Sequence, residues 1–470
     1  MKYELVAGFE THIELRTESK IFCSCSTGFG SAPNTHCCPV CTGQPGALPV
    51  LNMGAVRLAV MAGIATNCKI SNLSHMDRKN YSYPDLPKAY QISQFDVPLC
   101  RDGYIELRNG KRIRINRIHI EEDAGKLIHS DEEILIDYNR AGVPLIEIVT
   151  EPDIRSVEEA KEYVETLRHI MRYIGVSDCR MQEGSMRCDV NISVKKAGDE
   201  TLGTRTEIKN MNSISNIARA MEYEYSRQCE VIESGAEVVQ ETLRFDDVKG
   251  TTSSMRSKED AKDYRFFREP DLLAVVLTDA EIDEIRRSIP ELPHKKAQRY
   301  VSELGLSAED ARELLKYRAV SRYFDQVCKD IKNPKNAVRF ILGQIFASFS
   351  TEKDKELFCT KVSPSQLSEL IGLLEQGRIN NNLAKLTLEK MMNSGKSATA
   401  FLSEEDLRGM SDIELKALCH KAVEQNPTAV EDFKKGKEKA LMALLGFVMR
   451  ESRGKADAKS ATDFLRKILS

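Results

Sequence analysis

The sequence contains no run approaching the ~18 continuous apolar residues of a membrane-spanning helix. Its opening residues, Met1-Lys2-Tyr3-Glu4-Leu5, lack the apolar core of a secretion signal. Both absences lead us to expect a cytosolic protein without a membrane partner. Tryptophan is missing and aromatics make up only 6% of the chain. The absence of a long internal repeat or a low-complexity segment argues against solenoids and disordered linkers. Net charge is only −3, so the chain as a whole has little attraction for polyanions. No Gly-x-Ser-x-Gly elbow, no amidase-like serine cluster and no convincing catalytic Cys/His pairing is present. A phosphate-binding Walker A loop is missing too. The nearest fragment, Gly395-Lys396-Ser397, has Lys390 where the first glycine is required, so any use of ATP needs a fold without a P-loop.

The 41% apolar and 30% charged fractions are those of a folded globular protein, and 470 residues allow two to four domains. Up to about residue 290 the chain alternates strand patterns with Gly, Pro and Asn turns. Arg112-Ile113-Arg114-Ile115 and Ile118-His119-Ile120-Glu121 alternate with opposite phase, which predicts a bulge near Asn116-Arg117. Cys188 to Val194 places Asp189, Asn191 and Ser193 on one face. Two helices interrupt the strands. One is opened by a capping box of Ser156 and Glu159 and closed by Gly175, and the other runs from about Ser213 to Ser234. After Ile289-Pro290-Glu291-Leu292-Pro293 only helix signals remain, opened at Ser307, Ser363-Pro364 and Ser411. The expected fold class is α+β. An antiparallel-sheet domain occupies 1–292, an all-α domain 293–405 and an all-α tail 406–470.

Thirteen cysteines, an odd number and mostly scattered, argue for reduced thiols. One group differs. Cys23-Ser24-Cys25 is followed after twelve residues by Cys38-Pro39-Val40-Cys41, with Cys37 alongside. Two close pairs separated by a loop suit a closed, structural zinc site, with Cys37 an alternative to Cys38. On the strand Phe9 to Leu15, Glu10, His12 and Glu14 share one face. Two carboxylates and an imidazole side by side need a compensating cation, and Mg²⁺ takes oxygen ligands of this kind; otherwise the face is simply solvated. Further acids stand at Glu121-Glu122-Asp123, at a strand end, and at Glu147, inside the apolar run Pro144 to Val149. Phosphate donors lie nearby in sequence: Arg78, Lys79, Lys88, Arg140, Arg187, Arg205, Lys209 and Asn210. The C-terminal segment 427–470 holds ten Lys/Arg against six Asp/Glu, which is +4, and the remainder of the chain is −7. A basic end on an acidic body suits contact with a polyanion.

The chain resembles the B subunits of the bacterial aspartyl/glutamyl-tRNA amidotransferases along nearly its whole length. The matching segments are Gly8–Leu15 (GFETHIEL), Gly46–Asn52, Asp77–Gln94, His119–Lys126 (HIEEDAGK), Asp137–Pro152, Met181–Asp189 (MQEGSMRCD), Glu207–Ser213, Asp263–Leu273 and Asn426–Leu441. Two departures, Phe9 in place of leucine and Arg268 in place of proline, carry no evident chemistry.

The resemblance implies a cradle-shaped catalytic domain followed by a helical domain and a helical tail. It implies an ATP- and Mg²⁺-dependent ligase that phosphorylates the side-chain carboxylate of Glu-tRNA(Gln) or Asp-tRNA(Asn). Ammonia released from glutamine by a partner amidase, the A subunit, then completes the amide. A small third protein, the C subunit, braces the heterotrimer. By motif position, the catalytic residues are Glu10, His12, Glu121, Glu122 and Glu147, with Mg²⁺ held by Glu10, His12, Glu122 and Glu147. Lys79, Tyr81, Lys88 and Asp189 line the ammonia route. Cys23, Cys25, Cys38 and Cys41 hold structural zinc. Lys434, Lys435, Lys437, Lys439, Arg450, Arg453 and Lys455 contact tRNA(Gln) or tRNA(Asn). A zinc-stabilised RNA-binding adaptor and a tRNA-recognising ATPase are the competing readings.

Overall fold

The computed structural model describes residues 2–129, 133–257, 263–407, 410–452 and 456–469. The chain divides into two compact units, Met1–Pro293 and His294–Ser470.

The first unit is built on a nine-stranded sheet. In chain order its strands are β1 (Tyr3–Glu14), β2 (Lys69–Ile70), β3 (Cys100–Glu106), β4 (Arg112–Glu122), β5 (Pro144–Thr150), β6 (Met186–Lys196), β7 (Thr206–Lys209), β8 (Glu241–Asp246) and β9 (Thr251–Ser257). The order across the sheet is β9-β8-β7-β6-β1-β5-β4-β3-β2. The expected antiparallel pairing holds except between β7 and β8, which are parallel. Parallel neighbours need a crossover, and a 20-residue helix, Ile214–Glu233, supplies it. The predicted phase change in β4 is a bulge: Val149 pairs with Arg117 and Thr150 with Ile115, leaving Asn116 unmatched.

Period-two alternation separates the two faces of the sheet. Phe9, Thr11 and Ile13 on β1, Cys188 and Val190 on β6, Ile146 and Ile148 on β5 and Ile118 and Ile120 on β4 are buried. With three helices, α1 (Met53–Ala65), α2 (Val157–Ile174) and α3 (Ile214–Glu233), the apolar ones among them form one core. The Phe9 ring lies 5.4 Å from that of Tyr163 on α2. On α1, a Cβ at Gly63 would come within 2.4 Å of Cys100 Sγ, so only glycine permits this approach to the sheet. At the start of α2, Ser156 accepts from the Glu159 N–H. The expected reciprocal bond is replaced: the Glu159 carboxylate takes the Arg155 N–H and Lys111. Gly175 closes the helix at φ 80°. The other face of the sheet carries the polar residues described below.

The second unit is helical and contains two apolar clusters. Tyr300, Leu314, Phe324, Phe340, Leu370 and Leu388 centre the first. Leu415, Cys419, Leu444, Val448 and Leu465 centre the second, formed by helices Asp412–Gln425, Lys439–Glu451 and Ala458–Leu469. Capping boxes open the helices at Ser363 and Ser411, as their sequence signals predict. Gly395 follows a helix, Asn381–Ser394, as its left-handed cap, a position unlike that of a phosphate-binding loop. Among the described residues no helix is long and apolar enough to cross a membrane.

Candidate active site

Strand register aligns the polar face. His12 on β1 sits opposite Glu147 on β5, and Glu147 sits opposite His119 on β4. His12 Nε2 lies 3.2 Å from Glu121 Oε1 and 3.4 Å from Glu147 Oε2. His119 Nε2 lies 3.3 Å from Glu147 Oε2. His12, Glu121 and Glu147 each present one ligand atom within 4.8 Å of the others. His119 Nδ1 is buried and has no hydrogen-bond partner among the described residues.

The charges here are strongly coupled. Burial disfavours a charged His12, but hydrogen bonds with Glu121 and Glu147 prevail and hold its pKa up, at about 10. Burial likewise works against Glu147, yet His119 and His12 hold its carboxyl well below the usual range. A proton on His12 supplies the positive charge that the two carboxylates require. A divalent cation would meet the same requirement, since two buried carboxylate oxygens and one imidazole nitrogen converge on one point.

Glu10, one alternation further along β1, accepts from Asn191 Nδ2 at 3.0 Å. Burial, then Glu147 and Glu207, raises its pKa. Glu14, at the other end, is raised to about 7 by burial and by Asp123, against Arg187 and Arg140. Arg187 donates to Asp123 at 2.9 Å, and Arg140 lies 3.4 Å from the same carboxylate. Asp189, opposite Glu10, pairs with Lys209, which also bonds Glu207 at 2.9 Å. A band of alternating charge therefore crosses β7, β6, β1, β5 and β4.

Of the magnesium set expected from sequence, the structure brings His12 and Glu147 together and adds Glu121. Glu10 stands beside them. Glu122 does not join them, because adjacent strand residues point to opposite faces. Its carboxylate is held by Lys88 Nζ at 2.6 Å and the Ile92 N–H at 2.8 Å. Lys88 is thereby tied to Glu122, with its Nζ also 5.4 Å from the Tyr90 ring centre. Lys79 Nζ lies 4.8 Å from the ring centre of Tyr264 and 5.8 Å from that of Tyr81. Burial, then Asp85 and Glu121, raises the Tyr81 pKa, so this hydroxyl stays protonated beside the acids.

Cys23, Cys25, Cys38 and Cys41 present sulfurs within 4.8 Å of one another. Cys37 is outside the group, its Sγ 4.0 Å from Asn139 Oδ1. The Cys38 N–H donates to Cys41 Sγ at 3.2 Å. A hydrogen bond from Cys23, helped by this N–H and by Lys20 and opposed by burial, lowers the Cys41 thiol to about 4. Four sulfurs around one point match tetrahedral zinc.

In the tail, Lys434, Lys435, Lys437, Lys439 and Arg450 are exposed. Arg453 and Lys455 lie outside the described residues. Sequence reasoning misses His119, Lys20 and Tyr264. His119 carried a usable signal, since it shares strand phase with Glu121; Lys20 and Tyr264 carried none.

An acid-rich sheet face joined in one chain to an all-helical unit defines the class, and comparison gives that class a name. Residues 5–283 match the GatB/GatE catalytic domain family, and residues 322–469 match the GatB domain family. The B subunit of the aspartyl/glutamyl-tRNA(Asn/Gln) amidotransferase of Caldicellulosiruptor saccharolyticus is 52% identical over 478 residues, covering 100% of this chain and 99% of that protein. The protein of the same name from Thermoanaerobacter pseudethanolicus is 49% identical, with 100% of each chain covered. That from Clostridium kluyveri is 48% identical, with 97% of each covered. The chain belongs to the family of aspartyl/glutamyl-tRNA(Asn/Gln) amidotransferase B subunits.

Proposed function

We propose that this chain activates the side-chain carboxylate of a misacylated tRNA, Glu-tRNA(Gln) or Asp-tRNA(Asn), with ATP, and passes it to ammonia to form the amide. The observation that carries this reading is the convergence of His12, Glu121 and Glu147 on one buried point, flanked by Glu10 and by paired basic side chains. A carboxylate is a poor electrophile because its leaving group would be oxide. Attack of a carboxylate oxygen on the γ-phosphorus forms an acyl phosphate and releases ADP. Ammonia then adds to the acyl carbon, phosphate departs, and nitrogen gives up a proton. Magnesium, held by His12, Glu121 and Glu147 with Glu10 adjacent, would neutralise phosphate charge against the incoming carboxylate.

The remaining work falls to the protein. Arg187, Arg140 and Lys209 border the acids and are suited to exchange carboxylate partners for phosphate oxygens. Lys79, Tyr81, Lys88 and Asp189 are proposed to line the ammonia route. The shielding of an acyl phosphate from water favours such a route from a partner amidase, with a small third protein bracing the heterotrimer. The four cysteines would hold structural zinc, and the basic tail would hold the tRNA backbone. The 1–292 domain would carry the chemistry and the 406–470 tail would contact tRNA, with the helical 293–405 domain between them in sequence.

The test is a reconstituted assay of this chain with its amidase partner, ATP and each misacylated tRNA. Amide formation should require ATP together with glutamine or free ammonia, and Glu10→Gln should abolish it while tRNA binding persists. An unchanged Glu10→Gln protein would instead favour an adaptor without chemistry of its own.

A further inference from the structure

Lys20 is fully buried. Its Nζ lies 3.5 Å from Cys41 Sγ and 3.2 Å from the Tyr138 carbonyl oxygen. No carboxylate among the described residues forms an ion pair with it. A buried ammonium is tolerated only opposite a negative charge, and the sulfur of Cys41 is the group placed to carry one. The complementary imbalance exists on the other side. Four thiolates around a zinc ion leave two negative charges in excess, in a site where part of the shell is buried. The two defects cancel where Lys20 meets Cys41.

We propose that Lys20 is the counter-ion of the cysteine centre and the residue that couples it to the acidic strand end. This inference rests on the zinc reading of the four cysteines. One Lys20 N–H is donated to the Cys41 thiolate. Another is donated to Tyr138, which starts the turn containing Arg140 and Gly142. That turn is clamped from both sides: the Ile21 N–H donates to the Gly142 carbonyl at 2.9 Å, and the Gly142 N–H donates to the Asp123 carbonyl at 2.9 Å. A Cβ on Gly142 would lie 3.6 Å from Lys20 Cδ and 3.9 Å from Glu122 Oε2. Lys20, Cys41 and Gly142 line the same cavity as Lys88 and Glu122. Two of the four cysteines, Cys23 and Cys41, thus share a cavity with the Lys88–Glu122 pair, and Lys20 is the positioning residue between them.

The experiment compares zinc retention in the full-length wild type, Lys20→Met and Lys20→Arg, by metal analysis and competition with a chromogenic chelator. Outer-shell partners of metal sites typically contribute 10–100-fold in affinity. Lys20→Met should lose zinc affinity by about that factor, and Lys20→Arg, which keeps the charge, should recover most of it. A Lys20→Met protein that folds by circular dichroism and retains zinc as tightly as the wild type overturns the role of Lys20 and leaves the zinc reading standing. A wild type that takes up no zinc overturns both. Should Lys20→Met not fold, the wild type decides. Lysine acylation read by mass spectrometry should leave Lys20 unmodified with zinc bound and modify it after chelation. Equal modification in the two states would overturn the coupling.

Discussion

His12 and His119 flank a single carboxylate oxygen: their Nε2 atoms lie 3.4 and 3.3 Å from Glu147 Oε2. Glu147 is thus the pivot of the polar face, reached by one imidazole from each neighbouring strand. Replacing it with glutamine keeps the shape and removes the charge. Glu147→Gln should lower single-turnover amide formation by at least about two orders of magnitude, the scale seen when one key electrostatic group is removed. tRNA affinity should not change. Single-turnover kinetics with filter binding read both quantities, and a variant retaining near-normal turnover would remove Glu147 from the site.

His119 touches that carboxylate but is not among the three convergent groups. Its expected contribution is to hold Glu147 in place, an outer-shell effect of about 10–100-fold on metal affinity. His119→Asn should therefore raise the Mg²⁺ concentration needed for half-maximal rate, while saturating Mg²⁺ restores most of kcat. A loss of kcat that no Mg²⁺ concentration relieves would make His119 a participant in the chemistry.

The pH dependence follows from His12, whose pKa rises from 6.5 to about 10 on folding. A raised pKa means that the folded state binds the proton more tightly. The resulting stabilisation is complete below about 6.5 and disappears as pH climbs through about 10. A metal ligand must be neutral, so Mg²⁺ binding expels this proton. Calorimetry in buffers of different ionisation enthalpy should register close to one proton released per ion at about pH 8. Apparent affinity should strengthen by about tenfold per pH unit below the folded pKa. Binding without proton release would exclude His12 as a ligand.

Much of this site was legible because strands fix which side chains share a face. The alternation in Phe9 to Leu15 put Glu10, His12 and Glu14 together, and the isolated carboxylate of Glu147 announced that it needed a partner. The sequence could not supply strand order. Only the register of β1, β5 and β4 shows that His12 and His119 meet across Glu147. The misplacement of Glu122 had a different origin. Motif position assigns magnesium to Glu122 and not to its neighbour Glu121, whereas period two sends Glu122 to the face opposite His12 and Glu147. The parallel β7–β8 pair escaped notice because pairing direction depends on the crossover, which local pattern does not encode. Lys20 gave no warning, since nothing in Ser19-Lys20-Ile21 indicates that the lysine is enclosed.

Lys88 and Glu122 form a buried pair, with side chains 11% and 5% exposed. Removing one partner from such a pair strands the other charge, typically at about 3–5 kcal/mol. Lys88→Met should lower unfolding free energy by that order in urea titration. Lys88→Met combined with Glu122→Gln should recover part of the loss, because the carboxylate no longer needs a counter-ion. A single variant as stable as the wild type would mean that water reaches Glu122.

The tail separates its lysines by their local partners. Lys435 lies 3.5 Å from Glu431 and Lys437 lies 3.0 Å from Asp432, so part of their charge is already engaged. Lys434 and Lys439 are exposed without an ion pair of this kind among the described residues. They are the side chains best placed to take phosphates if the tail holds tRNA. Each lost phosphate contact removes roughly 0.7–0.9 from the slope of log K against log salt. Replacing Lys434 and Lys439 together with glutamine should flatten that slope by about 1.5 and weaken tRNA binding at low salt. Replacing Lys435 and Lys437 should do less, because Glu431 and Asp432 would otherwise compete for the same ammonium groups. Rates at saturating tRNA should match the wild type in both cases, since the acidic cluster is untouched. An unaltered slope for the Lys434/Lys439 variant would move the RNA contact elsewhere on the chain.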